Sequence, residues 1–572
     1  MERILKFPLC FGVVVALALA ALYWTQLAQI FIVEDPGPEA FMQPLMVGYL
    51  EKARQMGLSP AQYFNQGPFW KNYKQQESFW AHQCPGNQMI YEFFAYVTPT
   101  LCLFYLPFVK IAGVGAKTVA LYSTFFSVLA WIGTGLLALR LFGRWLTILC
   151  MLLLLSSLSW LIHIKVGYAS WMPSVFLMNA IGFCLFSYMK NPRHAYLAAV
   201  GVFLGIMYMM SQIPVAFGVL MTGFVILFAR PKALSRSAAG VGWLSVSLLI
   251  TVMVISFVYA GFYHCTASNI HSALLANYFS RFLGGGTPGN PLSISGKAAY
   301  AFRCMFIDME TFDHPDKYLE GTPAIPWVFS IFLVVGLLYA IKNRTLENDF
   351  LLVWLFSIFG FLGMAFSFTH RYSILAMPAM CILAAQGILG FGSDLARFKP
   401  KVLPFVYAFL VCAALAAAIF QIHENYYIQY TLHKPPNLEV DRLRGHSKVA
   451  AWLKENCNPE QTLVVLNDPI MFGSCIYYFH TFGHEYRFIF WSNYFGGGGT
   501  AAQVKAWERD VFSQYQKIIF VFSTQFYPYP QPHTPSNDWR PFLAAHPGIK
   551  PKFIYAYANR PASILLFEVT KE

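Results

Sequence analysis

Two carboxylates, Glu34 and Asp35, stand side by side at the end of an uncharged apolar run that begins at Phe7, and Pro36 follows at once. A helix C-terminus carries partial negative charge, so acids there cost about 0.3–1 kcal/mol each. Capping does not account for them, whereas a carboxylate at a membrane surface can take a proton from a hydroxyl. Cations that could complement such a base recur along the chain: His163 and Lys165, Arg281, Arg303, and the adjacent His370 and Arg371. Arg suits a phosphate, because its planar fork binds two oxygens at once. The competing role for these cations is anchorage of span ends at lipid headgroups, and for Glu34 and Asp35 it is a hydrated span end. A second acidic stretch, "FIDMETFDHPDKYLEG", offers Asp308, Glu310, Asp313 and His314 as an acceptor or metal site. Their spacing fits no specific ligand motif, and a solvated loop explains them equally well.

These groups need elements to hold them, and composition says what kind. Of 572 residues, 57% are hydrophobic and 12% charged, against about 25% charged in soluble domains. The chain reads as a polytopic α-helical membrane protein. Its excess of 40 Lys+Arg over 27 Asp+Glu fits cytoplasmic loops rather than nucleic acid, since no basic run interleaves with aromatics on a soluble face. The run from Phe7 to Val33 is long enough to span a bilayer and reads as a retained signal-anchor, not a cleaved leader.

Further apolar runs lie near 118–139, 145–162, 172–189, 195–211, 213–229, 239–262, 324–341, 350–368, 372–391 and 402–422. If the run at 93–109 does not cross, Arg140/Arg144, Lys190/Arg193, Arg230/Lys232/Arg236, Lys342/Arg344 and Arg397/Lys399/Lys401 share a side with Arg3/Lys6. If it crosses, all of them fall outside, against the positive-inside rule. Residues 88–112 are therefore expected to lie along the outer surface. The expectation is about eleven spans, a cytoplasmic N-terminus and an extracytoplasmic C-terminus. Residues 1–422 form the membrane domain, with outer loops 34–117 and 263–323. Residues 423–572 form a small extracytoplasmic α/β domain, from strand-like "TLVVLND", "KIIFVFS" and "SILLFEV" alternating with helical stretches.

From Phe93 to Ile307 there is neither Asp nor Glu. Ion-coupled transport usually leaves ionisable groups inside spans, so the reacting groups are expected at the outer membrane face. This arrangement resembles the GT-C superfamily of membrane glycosyltransferases, such as the dolichyl-phosphate-mannose–protein mannosyltransferases and the lipid A aminoarabinose transferases. The likeness covers the topology of 1–425 and three stretches: "VEDPGPE" after the first span, "RLFGR" before the third, and "HRYSILAMP" at the tenth. It implies inverting transfer of a sugar from a polyprenyl-phosphate donor to a glycan, lipid or protein acceptor, by a protein resident in a bacterial inner membrane. Asp35 is then the first choice for general base and Glu34 the second. Arg371, His370, Lys165, Arg281 and Arg303 are the candidates for the donor phosphate, whose charge grows as it leaves. No cofactor is required, and a divalent metal is compatible. One departure stands out: the turn "HIKVGYASWMPS" is free of acids, where many members carry a second one. A non-catalytic scaffold of the same fold and a lipid-linked sugar transporter are the alternatives.

Two glycine-rich stretches, "LGGGTPGNP" and "FGGGGT", match no phosphate-binding motif and read as loops. Cys265 with Cys304, and Cys457 with Cys475, share an expected oxidising compartment and are candidate disulfides.

Overall fold

The structure is a computed structural model that describes residues 7–22, 38–66, 98–157, 160, 170–228, 234–282, 327–364, 374–398, 403–422, 452–458, 461–466, 487–490, 515–523, 550–558 and 563–570. These fall into two compact units. The first comprises Met1–Ile32, Tyr96–Phe104 and Ala120–Pro436; the second comprises Val33–Ala95, Tyr105–Val119 and Asn437–Glu572.

The helices, in chain order, are α1 (Phe7–Leu22), α2 (Pro38–Gln55), α3 (Pro60–Gln66), α4 (Pro99–Ala112), α5 (Ala116–Phe142), α6 (Arg144–Leu155), α7 (Trp171–Lys190) and α8 (His194–Tyr208). They continue with α9 (Gln212–Phe228), α10 (Leu234–Phe262), α11 (Ala267–Phe282), α12 (Trp327–Lys342), α13 (Leu346–Met364), α14 (Met377–Phe398) and α15 (Leu403–Ile422). Among the described residues, three stretches are long and apolar enough to cross a membrane: Lys117–Phe142, Trp171–Lys190 and Ala238–Phe262. The chain is an integral membrane protein.

Two helices differ from the apolar runs that announced them. The run at 145–162 yields α6, which ends at Leu155 and is buried from Leu146 onward. The run at 372–391 yields α14, which starts only at Met377 and continues to Phe398. Pro378 in its first turn explains the late start, because proline is tolerated there and the residue before it resists helical dihedrals. His370 and Arg371 therefore precede the helix instead of heading it.

Small residues decide how the helices of the first unit meet. A Cβ on Gly336 of α12 would strike the Leu383 carbonyl of α14, and one on Gly387 would strike the Phe332 carbonyl. A Cβ on Gly201 of α8 would strike Ser247 Oγ and the Leu244 carbonyl of α10, and one on Gly205 would meet Thr251 and the Leu248 carbonyl. Without a water-driven hydrophobic force between helices in lipid, such close backbone approach supplies the packing. Glycines four residues apart that meet partners likewise four apart also fix direction: α8 and α10 run parallel. α14 is the central helix, with Ile374 to Met377 and Ala379 to Ala385 all at 0% exposure.

In the second unit, α2 and α3 are joined by a turn that the sequence specifies. Gly57 takes φ +68° while Leu58 N–H donates to Ala53 O (2.9 Å), closing α2 in a left-handed cap. Ser59 and Gln62 then form a reciprocal capping box around Pro60: Ser59 N–H donates to Gln62 Oε1 (2.9 Å), and Gln62 N–H donates to Ser59 Oγ (3.2 Å). The same unit holds β1 (Thr462–Leu466), β2 (Arg487–Phe490), β3 (Lys517–Ser523), β4 (Lys550–Ala558) and β5 (Ser563–Thr570). They form one sheet in the order β2-β1-β3-β5-β4. β1 pairs parallel with β2 and β3, whereas β5 pairs antiparallel with β3 and β4. Runs such as "KIIFVFS" and "SILLFEVT", rich in branched and aromatic residues, suit a pleated, half-buried surface.

Candidate functional site

Most of the residues singled out for chemistry lie outside the described residues: Glu34, Asp35, His163, Lys165, Arg303, Asp308, Glu310, Asp313, His314, His370, Arg371, Cys304 and Cys475. Arg281 lies in the last turn of α11. Four helices nonetheless fix where several of these segments leave the first unit.

α7 and α13 run antiparallel. A Cβ on Gly182 would come within 2.7 Å of the Trp354 ring, Phe186 packs on Phe350 at 5.7 Å, and Lys190 pairs with Glu347 at 3.1 Å. α13 and α14 are antiparallel as well: Gln386 Nε2 donates to Asn348 Oδ1 (2.8 Å), and Trp354 Nε1 donates to Leu375 O (3.1 Å). The start of α7, the end of α13 and the start of α14 thus share one end of the unit. α6 packs against α14 as well. The helices that follow the segment with His163 and Lys165 and the segment with His370 and Arg371 therefore both begin at that end.

α8 begins at the opposite end, beyond the Asn191–Arg193 turn, and finishes at this one, and α10 parallels it. Thr100, in the first turn of α4, closes the end of α8: its N–H donates to Met209 O (3.0 Å) and its Oγ1 to Ile206 O (3.2 Å). These bonds satisfy carbonyls that a helix end otherwise leaves open. α10 ends in a left-handed cap at His264 (φ 52°), with Cys265 N–H donating to Ala260 O (3.0 Å). α11 follows directly and touches back through His271 Nε2 and Ser256 Oγ at 3.3 Å.

Cys265 is a free thiol, and burial pushes its pKa up to about 11 despite its own backbone amide. It is therefore held protonated and unreactive. Its expected partner, Cys304, is outside the described residues, so the first candidate disulfide is not formed by any described pair. In the sheet unit, burial also raises the Cys457 thiol, although Lys517 beside it pulls the other way. Lys517 Nζ also reaches Asn456 O (3.2 Å) and Glu568 (3.7 Å), tying 452–458 to β3 and β5. Among the described residues, no group of three or more His, Cys, Asp or Glu could hold a metal ion. The stretch from Asp308 to His314 lies beyond them.

No protein-family model matches the chain, and no curated protein does. Solved structures do. ArnT from Cupriavidus metallidurans bound to undecaprenyl phosphate is similar over 98% of this chain and 97% of its own, with TM-score 0.53 and 13% identity. The apo state of ArnT gives TM-score 0.52 at 12% identity over the same shares. The archaeal oligosaccharyltransferase AglB from Archaeoglobus fulgidus, in complex with an inhibitory peptide and a dolichol-phosphate, is similar over 97% of this chain and 74% of its own, with TM-score 0.51 and 12% identity. The fold is GT-C.

Within this fold, charge in the sequence gives no sign of several residues that organise the end where α7 and α14 begin. Trp354 is the clearest: it is fully buried, and its indole N–H holds the carbonyl of Leu375 just ahead of α14. A lone Trp in a run otherwise built mainly of Leu and Phe was the available signal, since a buried indole N–H needs an acceptor. Thr100 had a signal too, in "VTPT", where a Pro flanked by hydroxyls marks a helix start.

Proposed function

We propose that this chain is a membrane glycosyltransferase that moves a sugar from a polyprenyl-phosphate donor to a hydroxyl-bearing acceptor at the outer membrane face, with inversion. The observation that carries the reading is the GT-C likeness across nearly the whole chain to ArnT bound to undecaprenyl phosphate. The helices that follow the His163/Lys165 and His370/Arg371 segments, α7 and α14, begin at one end of the helical unit, which supports it.

In this reading Asp35 takes the acceptor hydroxyl proton as the acceptor oxygen bonds to the sugar's anomeric carbon. The bond from that carbon to the donor phosphate oxygen breaks, and the electron pair leaves with the phosphate. Arg371, with His370, Lys165, Arg281 and Arg303 as further candidates, stabilises the charge that grows there. Glu34 tunes its neighbour through like-charge proximity. The topology proposed with it has about eleven spans, a cytoplasmic N-terminus, an extracytoplasmic C-terminal α/β domain from residue 423, and residence in a bacterial inner membrane.

The test is sugar transfer from a polyprenyl-phosphate donor by the purified chain in detergent. Asp35→Asn should retain donor binding and lose about 10²–10⁴-fold in rate, the usual contribution of a general base. Near-unchanged turnover would sink the assignment of Asp35. The acid-free turn "HIKVGYASWMPS" favours a second reading, a non-catalytic scaffold of the same fold. Absence of transfer by the unmodified chain with every polyprenyl-phosphate sugar tried, despite donor binding, would select it.

A further inference from the structure

The turn from α4 to α5 holds an exposed apolar residue between two cations. Gly113 takes φ +74° and ends α4, with its N–H donating to Val109 O (2.8 Å). Thr118 Oγ1 donates back to Gly113 O, closing the turn from the other side. Ile111 stands just ahead of Gly113 and is 79% exposed, more than any other large hydrophobic side chain among the described residues. Lys110 precedes it in the last turn of α4, and Lys117 follows in the first turn of α5. Both lysines are exposed.

Lys117 does not serve its own helix. The first turn is the positive end of the helix dipole, which disfavours a cation. Among the described residues no carboxylate pairs with it. Its surroundings follow from the chain beyond it, because Lys117 opens the stretch Lys117–Phe142 that is long and apolar enough to cross a membrane. One side of that stretch runs Lys117, Leu121, Phe125, Ile132, Leu136 and Arg140, four or seven residues apart, each exposed or half-buried. Phe125, Ile132 and Leu136 are 48%, 44% and 54% exposed, as apolar side chains that face lipid tails would be. Lys117 and Arg140 bound this side about 35 Å apart at 1.5 Å per residue, slightly more than the ~30 Å hydrocarbon core. That length sets one cation at each headgroup layer, and the tight turn keeps Lys110 and Ile111 near the layer of Lys117.

We propose that the α4–α5 turn is an anchor for anionic phospholipids, in which Ile111 enters the boundary between headgroups and acyl chains while Lys110 and Lys117 hold headgroup phosphates. An ammonium group suits this partner, because it is a compact point charge on a flexible stem that needs no fixed phosphate geometry. A phosphate beside Lys117 also offsets its position at the positive end of α5. The anchor is independent of the reaction proposed above.

A dye attached at Ile111→Cys in the full chain tests this locally. The protein is placed in phosphatidylcholine nanodiscs that carry spin-labelled phosphatidylglycerol or, at the same fraction, spin-labelled phosphatidylcholine. The unmodified chain, labelled alike, supplies the background from the natural cysteines. Both lipids should quench the dye, and phosphatidylglycerol should do so more strongly, through a local enrichment of about fivefold per lysine. Replacing both lysines, Lys110→Gln with Lys117→Gln, should bring the two lipids level. A dye that aqueous iodide quenches and neither lipid does would overturn the anchor. Equal quenching by the two lipids with both lysines present, or a preference that survives their loss, would overturn the anionic site. An equal loss of polyprenyl-phosphate binding in the double variant would assign the lysines to the donor instead, and overturn it too.

Discussion

The end of the helical unit where cations are paired within the fold invites comparison with the end at which the donor site is proposed. At the end where α7 and α12 finish and α13 begins, the cations face carboxylates: Lys190 pairs with Glu347 at 3.1 Å, and Arg344 with Asp349 at 2.5 Å. Lys190 also lies over the Phe186 ring at 4.6 Å. His163, Lys165, Arg281, His370 and Arg371, the candidates for the donor phosphate, belong to stretches of sequence without acids, Phe93–Ile307 and Phe350–Ser393, the first of which also holds Lys190. Lys190 finds its carboxylate across a long stretch of sequence, so sequence distance does not separate the two sets, and donor binding is what would. Both sets read alike as "basic loop" in the sequence.

The comparison breaks most sharply if the two ends respond alike to loss of charge. Arg371→Ala should weaken donor binding about 10–100-fold, the worth of charge-assisted hydrogen bonds of about 1.5–3 kcal/mol. Lys190→Ala should leave donor binding unchanged, and Arg371→Lys should recover only part, because an ammonium lacks the planar fork. Donor titration of each purified variant is the measurement. Equal losses in Arg371→Ala and Lys190→Ala would erase the distinction.

Packing should give the next largest effect. Gly387→Leu inserts a side chain where Phe332 O already sits, so overpacking of about 1–3 kcal/mol or more is expected at the crossing of α12 and α14. Thermal unfolding and folded yield in detergent should both fall. Gly223, whose Cβ would meet nothing, should accept Ala with little change.

The paired end should also show a modest pH dependence. Burial alone would raise the Glu347 pKa, but its own backbone amide and Lys190 outweigh that and lower it. A depressed carboxylate pKa contributes stability that is present above the unfolded value and lost as pH falls through the folded value. Glu347→Gln should therefore cost at most about 1 kcal/mol at neutral pH and nothing at acid pH, where the unmodified chain has already lost that increment. Unfolding at two pH values checks the sign.

The smallest expected effect lies at the cap of α10. His264 holds a left-handed φ of 52°, which a side chain resists and glycine accepts. His264→Gly should stabilise by about 0.5 kcal/mol, net of glycine's greater entropy in the unfolded chain. A lower Tm would instead give His264 a contact of its own at that end.

How much of this was legible in the sequence depends on which physical signal each feature leaves. The apolar runs marked most helices because burial in lipid needs continuous hydrophobicity, and "TLVVL" and "KIIFVFS" marked β1 and β3 by their branched residues. The bounds of α6 and α14 differ from the apolar runs because hydropathy does not register Pro378, or the pair Ser156 and Ser157 that follows Leu155. Ser156 turns its hydroxyl back onto Leu153 O at 2.8 Å. The helix crossings at Gly201, Gly336 and Gly387 could not be assigned, since a glycine names a close approach but not its partner. Asp35 and Arg371 were legible only as charges in unusual places, and their geometry depends on chain segments far apart in sequence.

The parallel pairing of α8 with α10 also bears on how the protein is made. A helix that leaves the insertion machinery next meets the one that follows it, and α9 comes between these two. Gly201 and Gly205 cannot close on their partners until Ser247 and Thr251 have been synthesised. Until then the small-residue face of α8 has no helix to receive it, so the order of assembly is written into the spacing of four residues. A chain stalled before α10 is complete would present that face to whatever else recognises unfinished membrane proteins.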